Sequence, residues 1–178
     1  MALRVALMRV GESPGQGDVM LLVGTRKTAF ISSSDPERKD WAITRSHHPC
    51  SDIFHMTYDG RGSRSCPDQS SGGIFAGENH MVWGHEVQVS HDLGRTWRPS
   101  NQQPRFSGDG SATVEKTWHI DPASEVQPRV LYAGVQPAAL FKSLDNGDTW
   151  DEITALSSHA TREGWQPGRP GPVERGFR

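Results

Sequence analysis

Two octapeptides decide how this chain is read: Ser90-His91-Asp92-Leu93-Gly94-Arg95-Thr96-Trp97 and Ser143-Leu144-Asp145-Asn146-Gly147-Asp148-Thr149-Trp150. They share the pattern S-x-D-x-G-x-T-W, and Ser143 follows Ser90 by 53 residues. Self-similarity at such a period marks a repeat architecture. Each shared residue has a turn-making role. An Asp carboxylate accepts hydrogen bonds from backbone N–H groups a few residues on. Gly94 and Gly147 supply positive φ without a Cβ clash. The Ser and Thr hydroxyls tie the flanks of the turn together, and Trp97 and Trp150 return large apolar area to the core. Asp92 and Asp145 are therefore read as structural. An EF-hand loop needs further oxygen ligands and a Glu at its twelfth position, which neither copy supplies.

The repetition extends upstream of each octapeptide. Leu21-Leu22-Val23-Gly24, Ile74-Phe75-Ala76-Gly77 and Leu131-Tyr132-Ala133-Gly134 each place three apolar residues before a Gly. Phe54-His55-Met56-Thr57-Tyr58-Asp59 and Trp118-His119-Ile120-Asp121-Pro122 precede the second and third of these. A worn octapeptide is read in Ser33-Ser34-Asp35 to Trp41, without the Gly and Thr and with one residue inserted. The segments between turns are short and rich in Val, Ile, Phe, Tyr and Trp, which is strand composition. No sustained 3.6-residue apolar period occurs, and Pro137 to Phe141 reads as a loop entering a strand. The expected domain plan is a flexible extension over 1–18, strand repeats over 19–165 and an irregular tail over 166–178.

Composition agrees. The 178 residues include 19 Gly and 12 Pro, which does not suit a helical bundle. Charged residues make up 22%, near the norm for globular chains. The net charge of −2 argues against a nucleic-acid partner. No apolar run reaches membrane-spanning length, so no membrane partner is expected. Arg outnumbers Lys 15 to 4, a bias read as GC-rich coding before function. Cys50 and Cys66 make no disulfide framework, and two reduced thiols in a cytoplasmic protein are expected. The apolar stretch Ala2 to Val10 is broken by Arg4 and Arg9 and lacks a secretory core.

The octapeptides resemble the Asp-box, or BNR, motif of sialidase-like β-propellers. Leu21 to Lys27, Pro104-Arg105-Phe106, Trp118-His119-Ile120, Leu131 to Gly134 and Trp165-Gln166-Pro167-Gly168 are similar to segments of bacterial WD40/YVTN/BNR-like repeat proteins, often labelled exo-α-sialidase or BNR glycosyl hydrolase. The resemblance covers roughly residues 20–168. It implies an all-β fold of four-stranded antiparallel propeller blades, with each box at the turn between a blade's third and fourth strands. Propellers carry about four to eight blades. At this period the chain has material for about three, so an incomplete propeller is expected, open to self-association through its blade edges. The Gly-, Pro- and Arg-rich tail reads like a shifted frame in GC-rich DNA, and a truncated product of a protein about twice as long is expected.

The resemblance also implies glycoside hydrolysis of the sialidase type, which needs three arginines on a carboxylate, a Tyr–Glu nucleophile pair and an acid Asp. The family's early Arg-Ile-Pro signature is missing here. The two tyrosines, Tyr58 and Tyr132, lie in expected strands, so no catalytic residue is assigned. The alternative is a non-catalytic propeller scaffold that binds a protein or glycan. Its expected surface is the axial channel, lined by Arg26, Lys27, His55, Glu115, Lys116, His119 and Gln136, whose polar groups suit a sugar or an anion. No cofactor and no metal are expected: two histidines lack a third ligand. His80, His85 and Glu86 have the wrong spacing for a zinc helix and are placed in a loop over Asn79 to Glu86. His47-His48-Pro49 is read as a polar turn.

Overall fold

The computed structural model describes residues 17–43, 46–61, 73–108 and 112–162. They form three antiparallel sheets in chain order. The first holds β1 (Val19–Gly24), β2 (Ala29–Ser34) and β3 (Trp41–Ile43). The second holds β4 (Ser51–Asp59), β5 (Gly73–His80), β6 (Gly84–Ser90) and β7 (Arg98–Pro99). The third holds β8 (Lys116–Pro122), β9 (Leu131–Gln136), β10 (Ala139–Ser143) and β11 (Asp151–Glu152). One helical turn, α1 (Thr154–Ser157), follows. Among the described residues the first sheet has three strands, one fewer than the expected four. The proposed tail over 166–178 and the thiol of Cys66 lie outside the described residues. Cys50 is an exposed free thiol.

The core lies between sheets. Side chains alternate across a strand, so a strand in a stack can bury both faces. On β5, Ile74 and Ala76 pack with Ala29 and Ile31 of the first sheet. Phe75, between them in sequence, packs with Leu131, Ala133, Phe141 and Trp150 of the third sheet. The middle sheet is thus covered on both sides, and neighbours in sequence are neighbours in space.

Both full octapeptides form the turn between the third and fourth strands of a sheet, and they do so with the same bonds. Ser90 Oγ accepts from the Gly94 N–H at 2.8 Å and donates to Asp92 Oδ1 at 2.9 Å. Asp92 then accepts from the Thr96 N–H at 2.8 Å and the Thr96 hydroxyl at 2.6 Å. Ser143, Asp145, Gly147 and Thr149 repeat this set at 2.8, 2.8, 2.9 and 2.6 Å. Burial pushes the Asp92 and Asp145 carboxyls up, and the bonds from the threonines outweigh it, so both are held below the usual carboxylate range. Gly147 is needed twice over. Its φ is 85°, and a Cβ there would stand 2.8 Å from the Phe75 ring of the preceding sheet.

Each box tryptophan reaches back one sheet. The Trp97 indole N–H donates to His47 Nδ1, just beyond β3, at 3.3 Å. The Trp150 indole N–H donates to Ser100 Oγ, just beyond β7, at the same 3.3 Å. Trp150 is 1% exposed.

The worn copy keeps its length, which corrects the expected insertion. Val89 pairs with Arg98 and Lys142 with Asp151, setting Ser90 opposite Trp97 and Ser143 opposite Trp150. Ser34 pairs directly with Trp41 at the same spacing. The loop has no extra residue; its acid has moved one place forward, to Asp35. That carboxylate still accepts the N–H groups of Lys39 and Asp40 at 2.7 and 3.2 Å. Arg38, at the position of Gly94 and Gly147, has φ 58°.

Sequence reading gave no sign of a second tie. Arg61 forks onto the buried Asp59 carboxylate with Nε and Nη2, both at 2.8 Å. Its Nη1 and Nη2 also donate to the carbonyls of Ala123, Ser124, Gln127 and Val130 in the β8–β9 loop. One guanidinium thereby joins the end of β4 to the next sheet.

Trp150→Ala removes the largest fully buried side chain and orphans its bond to Ser100. A loss of about 3–5 kcal/mol is expected in chemical denaturation. Gly147→Ala is expected to cost about 1–2 kcal/mol from the positive φ alone, with further loss from the Phe75 contact. A wild-type midpoint for either variant would contradict the role given to the box.

Candidate functional site

β4 and β8 are the first strands of their sheets and lie side by side. Both carry the same irregularity. On β4 the pairing slips between Ile53 and His55, leaving Phe54 as a bulge. On β8 it slips between Thr117 and His119, leaving Trp118 as a bulge. A bulge bends its strand and re-aims the extra side chain. Two matched bulges bring two matched aromatic–histidine dipeptides together.

The His55 and His119 rings lie 3.8 Å apart, centroid to centroid. Phe54 and Trp118 meet at 4.7 Å, and both remain exposed. The Lys116 ammonium stands 4.9 Å from the Phe54 centroid and 5.5 Å from that of Trp118, a cation on two aromatic faces. The Ile120 N–H donates to His55 Nδ1 at 3.2 Å, which puts the neutral ring's proton on Nε2. Burial, and then the facing His119, hold His55 below the ordinary imidazole range despite Asp121. His119 Nε2 meets Asp121 Oδ2 at 2.7 Å. Gln136 Nε2 donates to Glu115 at 2.7 Å, beside the pairing of Lys116 with Gln136.

The structure therefore brings His55, His119 and Lys116 into one rim, with Glu115 and Gln136 at its edge. Arg26 and Lys27 lie on the exposed β1–β2 turn. Thr25 Oγ1 accepts from the Lys27 and Thr28 N–H groups there, and the Thr25 carbonyl receives the Ile53 N–H at 2.8 Å. This turn lies at the same end of the sheets as the rim. The boxes occupy the opposite end. The ten box residues are thus structural in every contact described above. Sequence reading passed over Phe54, Trp118 and Asp121 as site residues. The available signal was the twin dipeptides Phe54-His55 and Trp118-His119; the bulges that turn them outward have no sequence signature.

Two expectations about histidines are corrected. Asn79 to Glu86 is no loop. β5 runs to His80 and β6 starts at Gly84, so only Met81, Val82 and Trp83 form the turn. His80 Nδ1 accepts the Val82 and Trp83 N–H groups and caps this tight turn, which leaves room for the ladder to continue. His85 faces inward, with Nε2 at 2.5 Å from Thr117 Oγ1, and burial pushes its imidazole down to about 4. His47 and His48 are no solvated turn either. His47 bridges to Ala29 and is buried. His48 Nδ1 lies 3.1 Å from Glu78 Oε2, whose other oxygen accepts the Ser51 hydroxyl at 2.5 Å. Burial raises the Glu78 carboxyl, and its bonds to His48 and Ser51 outweigh that, holding it low. The His48 ring stands edge-on to Trp97 at 4.5 Å. These histidines are wedges between sheets, so both turn inward while Pro49 after them stays exposed. Beside them lies an open cleft of about 430 Å³, lined by Ser46, His47, His48, Arg95, Thr96 and Trp97.

Among the described residues, no three His, Cys, Asp or Glu side chains are arranged to hold a metal ion, and no helix is long and apolar enough to cross a membrane.

Acid should destabilise the chain through His85. Its ring titrates near 6.5 when unfolded and about 4 when folded, so the unfolded state binds more protons between these values. The stability is present in full above pH 6.5 and declines as the pH falls toward 4, by a total on the order of 3 kcal/mol. His85→Gln keeps a polar partner for Thr117 and should flatten denaturation midpoints across that window. An unchanged slope in the variant would rule out His85 as the source.

Neither a protein-family model nor a curated protein sequence matches this chain.

Proposed function

We propose that the chain is a non-catalytic binding module built of BNR/Asp-box propeller blades, and that it takes a glycan at the rim formed by β4 and β8. Three features support the blade reading. The sheets stack in chain order, the middle one is buried on both faces, and the octapeptides occupy third-to-fourth strand turns. The single observation that carries the binding reading is the matched pair of bulges, which offers Phe54 and Trp118 to solvent beside Lys116, His55 and His119.

That combination suits a sugar. A pyranose has an apolar C–H face for an aromatic ring and an equator of hydroxyls for polar side chains. Lys116, His55 Nε2, Asp121 and Glu115 offer donors and acceptors within one patch. A lysine at the aromatic face also favours an acidic sugar over a neutral one.

The hydrolytic reading draws less support. Tyr58 lies toward the far end of β4, its ring against Gly60, and the Tyr132 ring carries the Lys142 ammonium at 5.9 Å. Neither tyrosine stands in the rim, where a nucleophile would be needed.

Calorimetric titration with neutral and sialylated oligosaccharides tests the proposal. Binding should weaken about tenfold or more, about 1.4 kcal/mol, in Trp118→Ala. Because Trp118 is exposed, the melting temperature should stay near wild type. Wild-type affinity in that variant, or no binding to any oligosaccharide, would dismiss the rim. Turnover of a fluorogenic sialoside by the wild-type chain would replace the binding reading with the hydrolytic one.

A further inference from the structure

We propose that the rim between β4 and β8 takes up a proton, at His119, together with an anionic sugar, so that its hold on a carboxylate tightens as the pH falls. This rests on the glycan reading of the rim and adds the charge that governs it.

The two facing imidazoles are not equivalent. His119 Nε2 lies 2.7 Å from Asp121 Oδ2. An ionised carboxylate only accepts, so the neutral His119 ring carries its proton on Nε2 and its lone pair on Nδ1. A second proton can join Nδ1 without breaking the bond to Asp121, and the charge it brings is matched by that carboxylate. His55 has no such freedom. Its Nδ1 accepts the Ile120 N–H at 3.2 Å. A second proton there would set one N–H against another and orphan a backbone donor. Ile120 is fully buried, which makes that loss costly.

The ring centroids stand 3.8 Å apart with an interplanar angle of 35°. A charge on one ring therefore opposes a charge on the other. Burial and then the facing His119 already hold His55 below the ordinary imidazole range. The pair thus accepts a single proton, and His119 is where it rests.

The other charges around the pair are fixed. Lys116 and Asp121 stand on β8 itself, with Glu115 just before it. In register, β5 sets Gly77 opposite His55, and β9 sets Gly134 opposite His119 and Tyr132 opposite Asp121. Glu78, next on β5, is bound by His48 and Ser51. From β6 comes His85, whose ring is turned to Thr117 and pushed down to about 4. The β1–β2 turn carries Arg26 and Lys27 and reaches β4 through the Thr25 carbonyl and the Ile53 N–H. Lysine, arginine and carboxylate side chains in general keep their charge between about pH 5.5 and 7.5, and imidazole does not.

In the unprotonated rim Asp121 and Glu115 offset Lys116, so an incoming carboxylate meets no excess of positive charge there. A proton on His119 neutralises Asp121 and leaves the Lys116 ammonium to the ligand. By linkage, the bound carboxylate raises the proton affinity of the pair by the same factor.

Calorimetric titration with sialyllactose and with lactose, from about pH 7.5 to 5.5, tests this, with circular dichroism at each pH to follow the fold. Sialyllactose should bind about fivefold more tightly at the lower pH, while the affinity for lactose stays level. Titrations in buffers of different ionisation heat should show uptake of at most about one proton per sialyllactose bound. His119 is exposed, so His119→Gln should fold as wild type, lose the uptake and give a level sialyllactose affinity across the range. His55→Gln should keep both the uptake and the pH dependence. A level sialyllactose affinity in the wild-type chain, or a pH dependence that survives in His119→Gln, would overturn the coupling and leave the glycan rim standing. Failure of both sugars to bind at any pH would remove the rim itself, and the coupling with it.

Discussion

The reach of one indole ring into the sheet before its own is the constraint on which this structure depends. Trp97 and Trp150 each leave a box turn, cross the gap between sheets and donate to a loop residue 50 positions earlier. That contact fixes three things together. It sets the distance between sheets, because the ring must fill the space. It sets the phase of the repeat, because the acceptors His47 and Ser100 must recur at that interval. It also requires the glycine, since Gly94 and Gly147 press against Ile31 and Phe75 of the sheet behind. The Ser–Asp–Thr bonds within the turn hold the tryptophan at the angle that makes the reach succeed.

Polar groups join the sheets where apolar packing thins out. His48 and Ser51 share the Glu78 carboxylate at the first joint, and His85 with Thr117 bridges the second. Arg61 gathers a buried carboxylate and four carbonyls at the edge of the same joint. Buried polar groups are costly unless satisfied, and most of these supply a partner across the joint, whereas the buried His48 Nε2 makes no hydrogen bond. The cost of burial is visible in His85, which stays neutral to low pH.

The rim is a product of the same repetition. β4 and β8 hold matching places in successive sheets, and the bulge on one has its counterpart on the other. Side chains that would be single and scattered on an ordinary sheet become a pair: histidine on histidine, phenylalanine on tryptophan. Lys116 lies over both aromatic rings because its strand runs alongside them.

What the sequence alone determined was local and periodic. Turn chemistry in S-x-D-x-G-x-T-W and the recurrence of three apolar residues before a Gly were enough to place strands, boxes and sheet order, because each depends on residues near one another in the chain. The pairing of His55 with His119 was also legible, since they hold matching places in successive repeats, although β4 and β8 begin several residues before them rather than at them. Only the tertiary structure decided the rest. It turned Phe54 and Trp118 outward through bulges, folded His47, His48 and His85 inward, and kept the worn box at full length with its acid displaced. Each of those outcomes rests on register or on a contact with a different sheet, and neither register slips nor long-range partners leave a mark in the composition of a single segment.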